Sequence, residues 1–417
     1  MLPLRHICFL GLLIMGQSAM AQDVLTGDKP VTYGWDQGRM IMPFRTVNEL
    51  ILIPVQINGS DTLQFIFDTG LENSIICELE ADEVLELKHA REVQVRGIGS
   101  GNKIDAIQSK GNSLRVGDVT IPDQDYVILS NNVWQLSRKM GTRIHGLLNM
   151  HAFEQYIIAI DYDRRHLTFY QPGYFRRHEN LDGYTSFQVD ICMGAPCIDA
   201  TIHTVSSSSY PVKLMLDTGA GNALSLDTGS LPGYSIPEGS RDCYLGCSIN
   251  GNIKGKIGRI KGMDIGPYHL QDVLVSYPDP QAAAPGEAGQ GPNGSLGAEL
   301  LRRFNLIIDY PDKKIHIMAN SAYDDEFRYD MSGIELMVPV PYEHRYIISG
   351  IREQSKAALA GIRPGDEILT INGTPSDQLS LDDIYKSLLG NDGKKIRLEL
   401  LREGEKIRAS FRLEKYI

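Results

Sequence analysis

The sequence predicts a mainly β protein: two homologous β-rich lobes followed by a small C-terminal α+β module. Three observations predict it. The two halves of the body repeat one another in register over about a hundred residues. Both halves consist of short runs rich in Val, Ile, Phe and Tyr, punctuated by Asn-Gly, Asp-Gly and Pro. From about residue 331 the pattern changes to strand, short helix, Gly-rich turn and strand. With 417 residues, of which 42% are hydrophobic and 22% charged, the chain suits two or three packed domains and is too apolar for long disorder.

The first element, residues 1–21, reads as a secretory signal peptide. Arg5 and His6 precede the apolar run Ile7 to Met15, and Ala19-Met20-Ala21 supplies a small-x-small cleavage signal before Gln22. That run is too short to span a bilayer, and no later stretch approaches the roughly 20 apolar residues a spanning helix needs. Cys8 sits before most of the apolar run, the wrong place for a lipid-modified cysteine. The expectation is a free periplasmic or secreted protein with no membrane span. A net charge of −11 gives little support for a phosphate-binding surface, so nucleic acid is not an expected partner. Beyond the leader remain Cys77, Cys192, Cys197, Cys243 and Cys247. Their short spacings in an oxidising compartment suggest two local disulfides or plain buried thiols. Zinc is the third use of such pairs, but the spacings are irregular and neither pair sits beside a histidine.

The repeat defines the body. FIFDTGLENSII around Asp68 resembles LMLDTGAGNALSL around Asp217, an offset of 149 residues. Gly117 falls on Gly266 at the same offset, and Asp161-Tyr162 falls on Asp309-Tyr310 at 148. The lobes are placed at 22–175 and 176–325. Helical signal is sparse, near Ala152 to Gln155 and Ala298 to Arg303, and the Pro/Gly/Ala-rich stretch Pro278 to Gly294 reads as an exposed loop.

In each half an apolar strand delivers Asp-Thr-Gly: Phe65-Ile66-Phe67 into Asp68-Thr69-Gly70, and Leu214-Met215-Leu216 into Asp217-Thr218-Gly219. Here the chain resembles the aspartic peptidases, specifically single-chain pepsin-like enzymes built from two retropepsin-like halves. The resemblance implies a bilobal pepsin-like fold with Asp68 and Asp217 as catalytic residues. Thr69, Gly70, Thr218 and Gly219 would support them, the glycines by allowing close approach at the lobe interface and the threonines by bonding across to the opposite loop. Two neighbouring carboxylates cannot both ionise comfortably, so one proton is shared, an example the general theory of coupled titration already uses for this enzyme class. The ionised partner activates a water while the protonated one polarises the scissile carbonyl. Such chemistry needs no metal or cofactor, and two motifs in one chain need no oligomer. A third Asp227-Thr228-Gly229 has no downstream repeat in register and reads as a surface turn.

Two positions depart from the family's pattern. Where pepsin-like enzymes place Ser after the motif and retroviral ones Ala, Ala220 fits but Leu71 is bulky; and where the family has an apolar-apolar-Gly element, Ser295-Leu296-Gly297 approximates it while Leu147-Leu148-Asn149 does not. Neither aspartate receives a flanking hydroxyl, which predicts a pH optimum less acidic than pepsin's. The Gly-rich segment Arg96-Gly97-Ile98-Gly99-Ser100-Gly101-Asn102 resembles a retroviral flap tip and also fits an ordinary hairpin turn. The ten histidines show no metal-binding pair on a helix face, no Gly-x-Ser-x-Gly nucleophile turn occurs, and Trp35 and Trp134 read as core or rim.

The third element, 331–417, resembles a PDZ domain of the kind attached to bacterial envelope proteases. The resemblance rests on Gly365-Asp366-Glu367-Ile368 running on to Ile371-Asn372-Gly373, with a short helix at Ser355 to Leu359 and a second at Asp382 to Leu389. It implies capture of a peptide C-terminus or extended segment at a sheet edge. Gly333, Ile334, Glu335 and Leu336 are the candidate peptide-binding residues, and the same residues also suit a plain strand. Autoinhibition and oligomer formation are further roles open to the module. The expected function is an exported aspartic endopeptidase acting on polypeptides with PDZ-mediated selection or regulation; the alternative is an inactive pepsin-like peptide-binding adaptor with a PDZ module.

Overall fold

The structure, a computed structural model, describes residues 32–33, 38–80, 83–95, 103–248, 251–280 and 291–417. It is mainly β, as expected. Six strands of the first half close into a barrel in the order Leu50–Ile57, Leu63–Asp68, Gly146–Asn149, Ser74–Ile76, Val119–Leu129 and Ile104–Val116, which pairs back onto the first. The second half closes in the same order: Ala195–His203, Ser209–Asp217, Gly294–Gly297, Leu224–Leu226, Tyr268–Pro278 and Gly251–Ile265. The 149-residue repeat is therefore a repeat of whole barrels.

Strand Leu63–Asp68 shows why the motif strands read as unbroken apolar runs. Phe65 and Phe67 face the large core shared by both halves, while Ile66 faces a second cluster with Ile75, Leu147 and Trp134. A strand buried on both faces loses the alternation of a half-exposed one. Trp134 is accordingly a core residue.

The barrels are joined by a six-stranded sheet in the order Thr185–Gln188, Lys314–Ala319, Phe304–Asp309, Ile157–Asp161, His166–Tyr170 and Arg39–Pro43. Its middle is an antiparallel pair, one strand from each half, in which Ile158 opposes Ile308 and Ala159 opposes Ile307. Short helices lie at Leu136–Met140, Pro172–His178 and Ala298–Leu301, with a 3₁₀ turn at Met150–Phe153. The first two carried no clear sequence signal because five to seven residues hold barely two turns of periodicity.

The C-terminal module has its own core around Ile348, Ile368, Ile384 and Leu400. Its helix Lys356–Leu359 is capped by Ser355, and Leu381–Leu388 begins with a Ser380/Asp383 capping box. The module is hydrogen-bonded to the first barrel, Val338 N to Arg138 O at 2.8 Å and Tyr342 N to Gly141 O at 3.2 Å. On the second barrel, Arg259 Nε donates to the C-terminal residue's carbonyl, Ile417 O, at 3.3 Å. No helix among the described residues is long and apolar enough to cross a membrane.

The five described cysteines are free thiols, four buried and Cys192 partly so, which agrees with the buried-thiol alternative and not with local disulfides. Cys243 and Cys247 lie four residues apart on one strand, Arg241–Ser248, so their Cα atoms are about 13 Å apart at the usual rise and far beyond disulfide reach. Cys192 and Cys197 lie diagonally across paired strands, opposite Ala195 and Asp190, with their side chains in contact and unbridged.

Candidate active site

Each aspartate is the last residue of a buried strand. Strand Gly146–Asn149 runs parallel to Leu63–Asp68 and sets Asn149 beside Asp68; Gly294–Gly297 sets Gly297 beside Asp217 in the same way. The two loops meet at the junction of the barrels. Thr69 Oγ1 donates to Leu216 O at 2.6 Å and accepts from Thr218 N at 3.0 Å, while Thr218 Oγ1 donates to Phe67 O at 2.7 Å and accepts from Thr69 N at 3.1 Å. These four buried bonds are related by a local twofold and hold both loops at a fixed separation, because the buried junction offers the threonines no water in exchange.

The glycines bring the carboxyls together. A Cβ on Gly219 would lie 2.0 Å from Asp68 Oδ2, and one on Gly70 would lie 2.8 Å from Asp217 Cγ. Each carboxyl thus rests on the backbone of the opposite loop. Within its own loop each is fixed by an amide, Gly70 N to Asp68 Oδ1 at 2.8 Å and Gly219 N to Asp217 Oδ1 at 3.1 Å. Both side chains are buried, Asp68 1% exposed and Asp217 0%. Burial pushes the Asp68 carboxyl up to about 7, against the opposing pull of the Gly70 amide.

The two departures from the repeat have separate physical accounts. Leu71 is 1% exposed and belongs to the cluster of Ile75, Trp134 and Leu147, so its bulk packs the back of the loop. In the second half Gly297 is required: a Cβ there would lie 2.2 Å from Asn222 O, and the loop closes backbone to backbone through Ala298 N to Ala220 O at 2.6 Å. In the first half Asn149 does the closing with its side chain. Nδ2 donates to Glu72 O, Oδ1 accepts from His151 N to cap the 3₁₀ turn, and the Asn149 amide donates to Ser74 Oγ. Asn149→Gly should therefore destabilise the first barrel by about 1–2 kcal/mol rather than restore a family feature; urea denaturation of the variant checks this.

Asp227-Thr228-Gly229 forms an isolated 3₁₀ turn in which Asp227 accepts from Gly229 N at 3.0 Å, with none of the cross-barrel bonding of the other two copies. The flap candidates Gly97, Ile98, Gly99, Ser100 and Gly101 lie outside the described residues, as do the signal peptide and Trp35. In the C-terminal module the amides of Ser332 and Gly333 both donate to the Asp330 carboxylate at 2.7 Å, and Ile334 N donates to Ser332 Oγ at 3.1 Å. Glu335 and Leu336 are buried in the strand Ile334–Met337. The residues that sequence reasoning missed here are Asn149's partners Glu72 and Ser74, and Asp330, all of which act through contacts that spacing does not encode.

Twin barrels contribute one Asp-Thr-Gly loop each to a single buried junction, with a PDZ-type module beside them. Comparison with known proteins agrees: residues 53–152 match the family model for aspartyl proteases, and residues 347–402 match that for PDZ domains. The chain is 30% identical over 89 residues to a carboxyl-terminal-processing protease of Synechocystis sp. (strain ATCC 27184 / PCC 6803 / Kazusa), a stretch covering 21% of this chain and 21% of that protein. Among solved structures, an aspartic proteinase from Irpex lacteus superposes with a TM-score of 0.43 at 13% identity, covering 69% of this chain and 99% of that one.

Proposed function

We propose that the protein is an exported aspartic endopeptidase in which Asp68 and Asp217 act as one general acid/base pair, with the PDZ module selecting or regulating polypeptide substrates. The observation that carries this reading is the seating of each buried carboxyl on the opposite loop's glycine, which leaves two acids at one point on the local twofold. Below neutrality the pair holds one proton. Burial raises the pair, which shares that proton; in the steps that follow it sits on Asp68, and Asp217 is the base. Asp217 removes a proton from water as its oxygen bonds to the scissile carbonyl carbon, and Asp68 passes its proton to the carbonyl oxygen. The resulting diol collapses as the C–N bond breaks: Asp217 passes its proton to the leaving amine while Asp68 takes a proton from one diol hydroxyl, which leaves a carboxylic acid product and restores the resting pair. Each step balances with water as the sole co-reactant.

Cleavage of an unfolded protein by the purified chain, blocked by pepstatin-like inhibitors, supports the reading. Tight peptide binding without turnover would instead make the protein an adaptor. The pH profile is a separate check. Activity should decline as pH rises through about 7, where Asp68 gives up its proton, and an optimum near the pepsin range of about 2 to 3 would overturn the assignment. Stability carries the same signature. Between the ordinary carboxyl value near 4 and about 7 the native state keeps a proton that the unfolded chain has lost, so stability falls with rising pH across that window. In Asp68→Asn that slope should flatten in thermal melts taken from pH 4 to 8.

A further inference from the structure

Three side chains outside the aspartate pair converge on the outer face of the second barrel. His203, Asp264 and His269 sit on three neighbouring strands, Ala195–His203, Gly251–Ile265 and Tyr268–Pro278. Asp264 stands directly opposite His269 across one ladder. On the other ladder it opposes Thr201, two residues before His203, so strand alternation puts all three side chains on one face. The Asp264 carboxylate meets His203 Nε2 at 2.7 Å through one oxygen and His269 Nδ1 at 2.5 Å through the other. One ligand atom from each residue lies within 4.8 Å of the others.

We infer that this triad is a binding site for a zinc-class divalent cation, with His203 Nε2, His269 Nδ1 and one Asp264 oxygen as its ligands. Two imidazoles and a carboxylate form a borderline-soft donor set that suits zinc and disfavours calcium and magnesium, which prefer all-oxygen cages. Metal–ligand bonds of about 2.0–2.2 Å in a tetrahedron require ligand atoms about 3.3 Å apart, so the His–Asp contacts at 2.7 and 2.5 Å would open by about 0.6–0.8 Å.

The surroundings favour this use over a chance hydrogen-bonded cluster. His203 Nδ1 is engaged by Ser209 Oγ at 2.9 Å, an outer contact of the kind that fixes which imidazole nitrogen faces a metal. The His269 backbone is clamped by a single hydroxyl: its amide donates to Tyr323 Oη at 3.0 Å, and Tyr323 Oη donates to its carbonyl at 3.0 Å. Gly262, opposite His203 and two residues before Asp264, leaves space for a ring; a Cβ there would lie 3.2 Å from His269 Cε1 and 2.7 Å from Leu270 O. The three ligand side chains are 26%, 40% and 51% exposed, so the fourth coordination position is open to water or to a donor from a bound partner. A cation here would tie three strands of the barrel together, and its binding energy would appear as added stability.

The test is calorimetric titration of the chelator-treated full chain with zinc chloride, read beside thermal melts with and without zinc. The expected result is one ion bound per chain and a raised melting temperature, with affinity reduced about tenfold or more in His203→Gln, His269→Gln and Asp264→Asn, and about tenfold in Ser209→Ala. Melts without zinc establish that each variant folds. Cobalt substitution should give a spectrum without thiolate charge transfer, which separates this site from the five free cysteines. Absence of zinc binding in the wild type, unchanged binding in all three ligand variants, or a thiolate band with cobalt would overturn the inference. Asp217→Asn should bind zinc as the wild type does, so the outcome is independent of the proteolytic reading.

Discussion

Asp217→Asn is expected to abolish proteolysis while leaving the fold intact. The substitution is isosteric, and an asparagine Oδ1 can still accept from Gly219 N, so the cross-barrel bonds of Thr69 and Thr218 should survive. What is lost is the ability to take a proton from water, worth about 10²–10⁴ in rate for a positioned general base. Asp68→Asn should fall as far. Its amide resembles the protonated acid in shape but cannot hand a proton to the substrate. Peptide-cleavage rates measured beside thermal melts separate chemistry from folding. Either variant cleaving at the wild-type rate with an unchanged melting temperature would remove that residue from the catalytic pair.

Gly219→Ala should be more damaging than its size suggests. The added methyl would sit 2.0 Å from Asp68 Oδ2 and 2.1 Å from its Cγ, well inside contact distance. Asp68 cannot swing away, because its other oxygen is held by Gly70 N and the side chain is buried. The loops must therefore separate, breaking the threonine bonds that set their spacing. The expected result is about 1–3 kcal/mol or more of lost stability, with activity lost even at temperatures where the chain remains folded. Gly70→Ala should be milder, since its Cβ would meet the Asp217 carboxyl carbon at 2.8 Å. Gly173, in the helix Pro172–His178 with nothing within 4 Å of its Cβ position, serves as the control: there Ala should be neutral or slightly stabilising.

Much of the architecture was readable from the chain because duplication wrote it twice. A stretch around Asp68 that recurs around Asp217 implies that whatever surrounds one surrounds the other, and the identical strand order of the two barrels is what that implied. The aspartates, threonines and glycines of the loops were readable for the same reason. Asn149 was not, because its departure from Gly looks like erosion until its side chain is seen closing onto Glu72 O. Nor was the choice between local disulfides and buried thiols: spacing along a sequence takes no account of the roughly 3.3 Å rise that carries Cys243 and Cys247 apart on one strand. His203, Asp264 and His269 escaped for the opposite reason. They meet only because two ladders place distant residues on one face, while helical spacing is the pattern that histidine pairs usually advertise.

The central pair of the connecting sheet, with Ile158 facing Ile308, has a consequence for how such a molecule could diverge. Two separate copies of a single half, associating through that edge, would bring two identical loops to the axis, and every substitution would then appear on both sides at once. Covalent fusion removes that constraint. Leu71 against Ala220 and Asn149 against Gly297 are asymmetries that a homodimer could not hold, and each has let one side of the axis specialise in packing while the other keeps its backbone closure.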